Sequence, residues 1–314
     1  MPSLSSFMIS PGSTSLSSFA PTAEKAQDSD AIMFRSVCLK LVRQGKVKDI
    51  YELDNGHLLF HFSDRISAFD IRMATLVPHK GEILCSFAKF WFEYLDFPNH
   101  MIAVPKKDMM EVRKLRVIPL EFVVRGYLYG SLFDRFRNNE NNGRLFGESF
   151  RPLKAAKLPF PILDPSTKSD LHDLSITKRK ILESEILSAN EYEFLEQASI
   201  SLYNKMSALA EKAKFIIADV KFEFGRDADN RIILADSIGP DEFRLWLKSS
   251  YLPGSDQTSY DKQLLRDWLK KSGLMQQILD NKIKKESIII PPEITHELTK
   301  RYNFAFKEIS GQAH

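Results

Sequence analysis

The run "KFIIADVKFEFG" at residues 214–225 constrains this chain more than any other stretch. Its even positions Ile216, Ala218, Val220, Phe222 and Phe224 are apolar, and Asp219, Lys221 and Glu223 stand between them. Side chains alternate across a strand, so the pattern predicts a strand with one core face and one charged face. The turn "RDADN" and the apolar "RIILADS" follow, which reads as a hairpin whose return strand ends at Asp236. That pairing would bring Asp236 close to Asp219, with both near Glu223. Carboxylates gathered on one buried face repel each other and lose solvation unless cations join them. Lys221 supplies one positive charge, and a divalent ion such as Mg²⁺ suits hard carboxylate oxygens. The other reading is a half-exposed strand with a solvated salt-bridge face, and periodicity alone does not separate the two.

The 314 residues, 43% hydrophobic and 27% charged, suffice for one large or two smaller domains. A net charge of +3 is too small to mark a nucleic-acid or membrane surface, so neither partner is expected. Cys38 and Cys85 lie far apart without CxxC spacing, which argues against a disulfide framework or zinc cluster and fits a reducing cytoplasm. No apolar run approaches the roughly 20 residues of a membrane helix. The first thirty residues are Ser-rich, broken by Pro and Gly, and contain no Arg. They lack the features of signal and transit peptides and read as a disordered tail or docking strap over 1–33.

From Phe34 the texture changes. "VKDIYEL", "HLLFHFS" and "RISAFDIRMATLV" read as strands parted by turn signals, and "GEILCSFAKFWFEYL" as an amphipathic helix. "VRKLRVIPLEFVVRGYLYGSLF" starts as a strand and runs into a Gly-punctuated turn, while 136–175 reads as a long loop. Helices are expected within 176–214 and again in "YDKQLLRDWLKKSGLMQQILDNKI". The order implies an α+β fold with a boundary near residue 121.

"GKVKDIYEL", "SDRISAFD", "VPHKGEIL", "PLEFVVRGYLYGSLF", "PSTKSDLHD", "DVKFEFG" and "ADSIGPDEFRLW" occur in this order. Together they resemble the SAICAR synthetases (phosphoribosylaminoimidazole-succinocarboxamide synthases) of purine biosynthesis, over about residues 43–270. The resemblance implies a strand-rich nucleotide-binding domain over 34–121, a larger mixed domain over 122–314, and an active site in the cleft between them. It implies joining the carboxylate of carboxyaminoimidazole ribonucleotide (CAIR) to the amine of L-aspartate through an acyl phosphate, with ATP and Mg²⁺. Members of the family assemble differently, so a homo-oligomer stays open.

The family pattern implies roles for individual residues. Lys46 and Lys48, at alternate positions of the first strand, would reach the ATP phosphates; read alone they could be solvent-facing lysines. Arg113, Leu115 and Val117 match the adenine-contacting stretch, where a plain buried strand would look the same. Arg125, Ser131 and Arg244 would hold the ribonucleotide phosphate, the arginines bidentately. Lys168, followed by His172 and Asp173, would contact substrate. Ser67 and Asp70 would line the CAIR and aspartate side, or simply cap a strand end. Glu223 and Asp236 would take the metal and nucleotide roles, with Lys221 and Asp219 beside them as catalytic residues. No general base is identified.

After Asp236 many relatives carry Glu and then "TPDSSR" or "SPDGSR", whereas this chain reads "SIGPDEFR", with Ser237, Gly239, Glu242 and Phe243. Phe243 in a position usually held by a small residue is expected to reshape the pocket around the acceptor. Two alternatives therefore stand beside the ligase: a paralogue using another amine or heterocycle, and a non-catalytic nucleotide-binding protein.

Overall fold

Short β-prone runs separated by turns give the first half its sheet. The computed structural model describes residues 39–69, 71–137, 146, 150–168, 174–280 and 288–312. The 1–33 tail, Cys38, Asp70, His172 and Asp173 lie outside the described residues. Strands β1 (Lys40–Gln44), β2 (Lys48–Glu52) and β3 (Leu58–Phe62) pair in sequence, the "DNG" turn joining the last two. "RISAFDIRMATLV" is not one strand but a hairpin, β4 (Arg65–Ala68) and β5 (Ile71–Leu76), bent at Phe69 with φ 51°. Helix α1 (Lys80–Tyr94) follows, burying Ile83, Leu84, Phe87, Ala88 and Trp91 at the three-to-four spacing of one helical face. Strands β6 (Met101–Lys106) and β7 (Met109–Val112) complete an antiparallel sheet in the order β1-β2-β3-β7-β6.

The second sheet is organised by β12 (Phe215–Arg226), the strand of the charged face. It pairs antiparallel with β8 (Arg116–Val117), β9 (Leu120–Leu128), β13 (Ile232–Ala235) and β14 (Phe243–Leu247). Strand β9 also holds β10 (Ala156–Leu163) and β11 (Ser166–Thr167), so the expected loop over 136–175 contains two strands. Proline hides β10 from a sequence reading. Pro159 and Pro161, which lack an N–H, fall where the β9–β10 register shifts between Lys157 and Ile162.

The even-position row of β12 also needs correction. The β12–β14 register shifts between Ile217 and Asp219, the mark of a β-bulge. Before it, Phe215 and Ile217 join the main core, while Ile216 and Ala218 pack with Trp246 and Tyr127. After it, Val220, Phe222 and Phe224 take over the main core face. The bulge bends the strand so that both faces of its first half are apolar and one face of its second half is charged.

Helices α2 (Gly130–Arg137), α3 (Lys178–Glu183), α4 (Ala189–Lys212), α5 (Gln263–Lys271), α6 (Leu274–Leu279) and α7 (Pro292–Ser310) complete the fold. A capping box between Ser188 and Glu191 starts α4, and Tyr203 on that helix donates to Ile217 O at 2.8 Å, fixing α4 beside the bulge. On α7, which lies beyond the stretch of family resemblance, Phe306 meets Phe87 of α1 edge-to-face at 5.1 Å. One apolar core runs from Phe60 to Ile309 and joins both sheets. A fully buried ring such as Phe87 contributes about 1.5–3 kcal/mol to it.

Candidate active site

Register places the first cluster. Asp219 lies opposite Arg125 of β9 on one side and opposite Arg244 of β14 on the other. Directly opposite side chains share a face, so pairing alone sets a carboxylate between two guanidinium groups. Arg244 Nη1 bonds Asp219 Oδ2, and Arg125 Nη1 donates to the same oxygen at 3.4 Å. Arg125 Nε donates to Asp164 Oδ2 at 2.5 Å, and its Nη2 to Ser131 Oγ at 3.0 Å. Arg135 of α2 donates to Asp164 at 2.7 Å. Burial pushes the Asp164 carboxyl up, but Arg125 and Arg135 outweigh it and hold it below the usual range. The arginines are thus locked in orientation, and Arg125, Arg135 and Arg244 all line the cleft. Gly130 is required here: its φ is +58°, and a Cβ would stand 2.6 Å from Arg244 Nη2.

The far end of the same face is built differently. Lys221 Nζ donates to Glu121 Oε1 at 2.8 Å and Glu223 Oε1 at 3.2 Å, and Lys168 closes on Glu223 Oε2. Ser166 Oγ donates to Glu121 Oε2 at 2.9 Å. Burial disfavours the charge on Lys221, yet Glu223 and Glu121 raise it well above an ordinary lysine. From β2, Lys48 bonds Asp236 and donates to Ser237 Oγ at 2.9 Å. Burial pushes the Asp236 carboxyl up, but Lys48, Lys168 and Lys221 together hold it well below the usual range. Asp236 sits at φ +62°, and its carbonyl accepts from Nε2 of buried His100 at 2.9 Å. Burial lowers that imidazole to about 4, so it is neutral and donates from Nε2.

A third group closes the floor. Asp241 accepts from Lys80 of α1 at 3.0 Å and Tyr302 of α7 at 3.4 Å, and pairs with Lys262 at 3.4 Å. Lys80 is completely buried and directly faces the Asp241 carboxylate, as a buried basic side chain needs a partner. Burial pushes Asp241 up, but Lys262 and Lys80 hold it well below the usual range. Residues of all three groups line a single cleft of about 580 Å³.

The structure gathers Lys46, Lys48, Ser67, Arg125, Ser131, Lys168, Asp219, Lys221, Glu223, Asp236 and Arg244 around that cleft. Arg113, Leu115 and Val117 lie outside its lining, Val117 in β8 and the other two on the connection just before it, and Arg113 and Val117 are exposed. The hairpin of β12 and β13 forms, but Glu223 pairs with Ala235. Asp236 therefore belongs to the Glu223 end, and the expected approach of Asp236 to Asp219 is corrected; Arg125 and Arg244 occupy the Asp219 end instead. Phe243 packs its ring into the core against Phe87 at 5.8 Å and still contributes to the cleft lining beside Glu242. Sequence reasoning missed Glu121, Arg135, Asp164, Asp241 and Lys262. Glu121 and Asp164 come from partner strands and loops whose register no local pattern reveals. Lys262 and Arg266, both in the lining and four residues apart at the start of α5, carried a weak signal as a basic helical pair.

Hard oxygen donors suited to a divalent cation are present at Glu223 and Asp236, each now neutralised by a lysine. Among the described residues no three His, Cys, Asp or Glu side chains converge as a ready cage. Mg²⁺ commonly binds through one or two carboxylates plus phosphate oxygens and water, which this donor set fits.

Residues 41–281 match the SAICAR synthetase family model. The phosphoribosylaminoimidazole-succinocarboxamide synthase of Nitrosopumilus maritimus (strain SCM1) is 45% identical over 278 residues, covering 88% of this chain and all (100%) of the relative. The enzyme of that name from Candida maltosa is 35% identical, covering 86% of this chain and 94% of its own. Among solved structures, the SAICAR synthase of Saccharomyces cerevisiae complexed with SAICAR superposes with a TM-score of 0.75 at 34% identity, covering 88% of this chain and 96% of that one. A SAICAR synthetase in complex with ADP gives a TM-score of 0.66 at 25% identity, covering 87% and 98%.

Proposed function

The chain belongs to the SAICAR synthetase family, and on that premise we propose that its cleft condenses CAIR with L-aspartate, using ATP, to give SAICAR, ADP and phosphate. The observation that carries this reading is the division of the β12 face. Guanidinium groups orient at the Asp219 end, and lysines cover carboxylates at the Glu223 end, within one cleft. Relatives described in complex with SAICAR and with ADP support the same pair of ligands.

The reaction needs charge neutralised and reactants aligned more than it needs a covalent nucleophile. Arg125 and Arg244, held by Asp219 and Asp164, present fixed donors to the ribonucleotide phosphate, with Ser131 beside them. Lys46 and Lys48, from the β1–β2 turn and β2, approach the cleft from the first sheet and serve the nucleotide phosphates. Glu223 and Asp236 would hold Mg²⁺, which supplies Lewis-acid neutralisation of phosphate charge when bound. Their lysines, Lys168 and Lys48, are then free to turn to anionic substrate oxygens. Lys221 keeps Glu121 and Glu223 from repelling each other and holds Glu223 in place. Enclosure of the reactants limits hydrolysis of the acyl phosphate. The cysteine pattern supports a cytoplasmic location, and no described helix is long and apolar enough to cross a membrane.

The test is a product assay. With ATP, Mg²⁺, CAIR and L-aspartate, ADP should form in step with the succinocarboxamide, and omission of any ligand should abolish product. L-glutamate should fail, because one added methylene displaces its second carboxylate from a fixed cationic partner. A higher kcat/KM for another amine would replace this reading with that of a paralogous amide ligase.

A further inference from the structure

Acidic side chains line the cleft at several points, and nearly all are already engaged. Glu121 bonds Lys221 and Ser166, Asp164 bonds Arg125 and Arg135, and Asp219 bonds Arg125 and Arg244. Glu223 bonds Lys168 and Lys221, Asp236 bonds Lys48, and Asp241 bonds Lys80. Glu242 lines the same cleft, and among the described residues its carboxylate has no hydrogen-bond or ion-pair partner. Its backbone is pinned: the carbonyl accepts from Lys221 N at 2.8 Å, and the N–H donates to Gly239 O at 2.9 Å. The side chain is therefore carried on a fixed point beside β12.

We propose that Glu242 is the general base that takes the proton from the amine of the incoming amino acid. The inference rests on the ligase reading above and adds the one role that reading leaves unfilled. An ammonium group has no lone pair, so it must lose a proton before it attacks. A carboxylate closed by lysine is a poor acceptor, because the adjacent charge stabilises its ionised form. Glu242 has no such clamp. The charged groups around it are Asp241 on its own loop, Lys48 of β2, Lys221 of β12, Asp236 at the end of β13 and Lys262 before α5. Burial first, then Asp241, push its carboxyl up to about 7 against Lys48 and Lys221. Proton affinity and a populated basic form then coincide near neutrality.

The step balances. One proton passes from the ammonium to the Glu242 carboxylate, and the freed nitrogen lone pair forms the C–N bond. The bond between the acyl carbon and the phosphate oxygen breaks, phosphate departing with the electron pair. The second N–H proton leaves with phosphate as the amide forms.

Hydroxylamine separates this role from carboxylate activation, since it is largely unprotonated at neutral pH and needs no base to attack an acyl phosphate. Glu242→Gln should lower kcat for SAICAR formation by roughly 10²- to 10⁴-fold and remove the acid limb near pH 7 from the wild-type kcat/KM profile. ATP-dependent hydroxamate formation from CAIR should fall by less than about tenfold in the same variant. Glu242→Asp should restore part of the aspartate reaction. The proposal is overturned if Glu242→Gln retains the wild-type rate and acid limb, or if hydroxamate formation falls in parallel with SAICAR formation. A wild-type protein that releases no ADP with CAIR and aspartate would remove the ligase reading itself, and the base with it.

Discussion

The two ends of the charged face of β12 solve different problems with the same kinds of charge. At Asp219 the cations are arginines, each fixed by a carboxylate, with Asp164 steadying the assembly from a neighbouring loop. At Glu223 and Asp236 the cations are lysines on flexible stems, laid over carboxylates that a metal could reclaim. A guanidinium fork matches a phosphate bidentately and is pre-organised, whereas an ammonium is a mobile point charge. On the proposed reading, the first end recognises one fixed anion and the second exchanges partners during the reaction. The bulge before Asp219 is where the strand passes from packing on both faces to this use of one face.

Removing the shared cation should break the comparison most severely. Lys221→Met leaves buried Glu121 without a counter-charge beside Glu223, which keeps only Lys168. A loss of about 3–5 kcal/mol in unfolding free energy is expected, with turnover abolished, as read by urea denaturation and ADP release. Next comes Arg244→Ala, which should cost roughly 2–5 kcal/mol in apparent CAIR binding. It should also lower Tm, because buried Asp219 keeps only the 3.4 Å bond from Arg125. A mutant with normal KM for CAIR would show that the fork is a structural ion pair.

Sequence legibility followed the range of the interactions. The charged face itself was readable, since period-two alternation at Asp219, Lys221 and Glu223 is local. The bulge was not, because Ile216 and Ile217 are equally apolar and only pairing with β14 decides which one faces the main core. Strand β10 was hidden by Pro159 and Pro161 at its irregular edge. Glu121 and Asp164 belong to the site through register and loop packing, and Tyr302 reaches Asp241 from a helix sixty-one residues on. The blocks that resemble the family supplied Arg125, Lys168 and Arg244, which periodicity alone would have left as surface charges.

Smaller effects sharpen the contrast between the floor and the two ends. Tyr302→Phe removes one long hydrogen bond to Asp241 and should lower stability by about 1 kcal/mol, with kcat changed little. The least effect concerns pH. The Glu242 carboxyl is raised from 4.5 to about 7. The folded state therefore binds more protons than the unfolded chain between those values, and stability falls as pH rises through that window. Asp236 and Asp241 act oppositely: they are held below the usual range, so their contribution is present above it and is lost as pH falls. Glu242→Gln should flatten the decline in Tm of the ligand-free protein between pH 5 and 8. An unchanged slope would show that Glu242 titrates normally.

The most direct measurement is a crossed calorimetric titration of Arg244→Ala and Glu223→Gln with CAIR and with ATP in the presence of Mg²⁺. Arg244→Ala should lose CAIR affinity and keep ATP within a few fold, while Glu223→Gln should lose Mg²⁺-dependent ATP binding and keep CAIR. Loss of both ligands together in each variant, or the reverse assignment, would contradict a β12 face divided between an anion fork and an exchangeable lysine–carboxylate cluster.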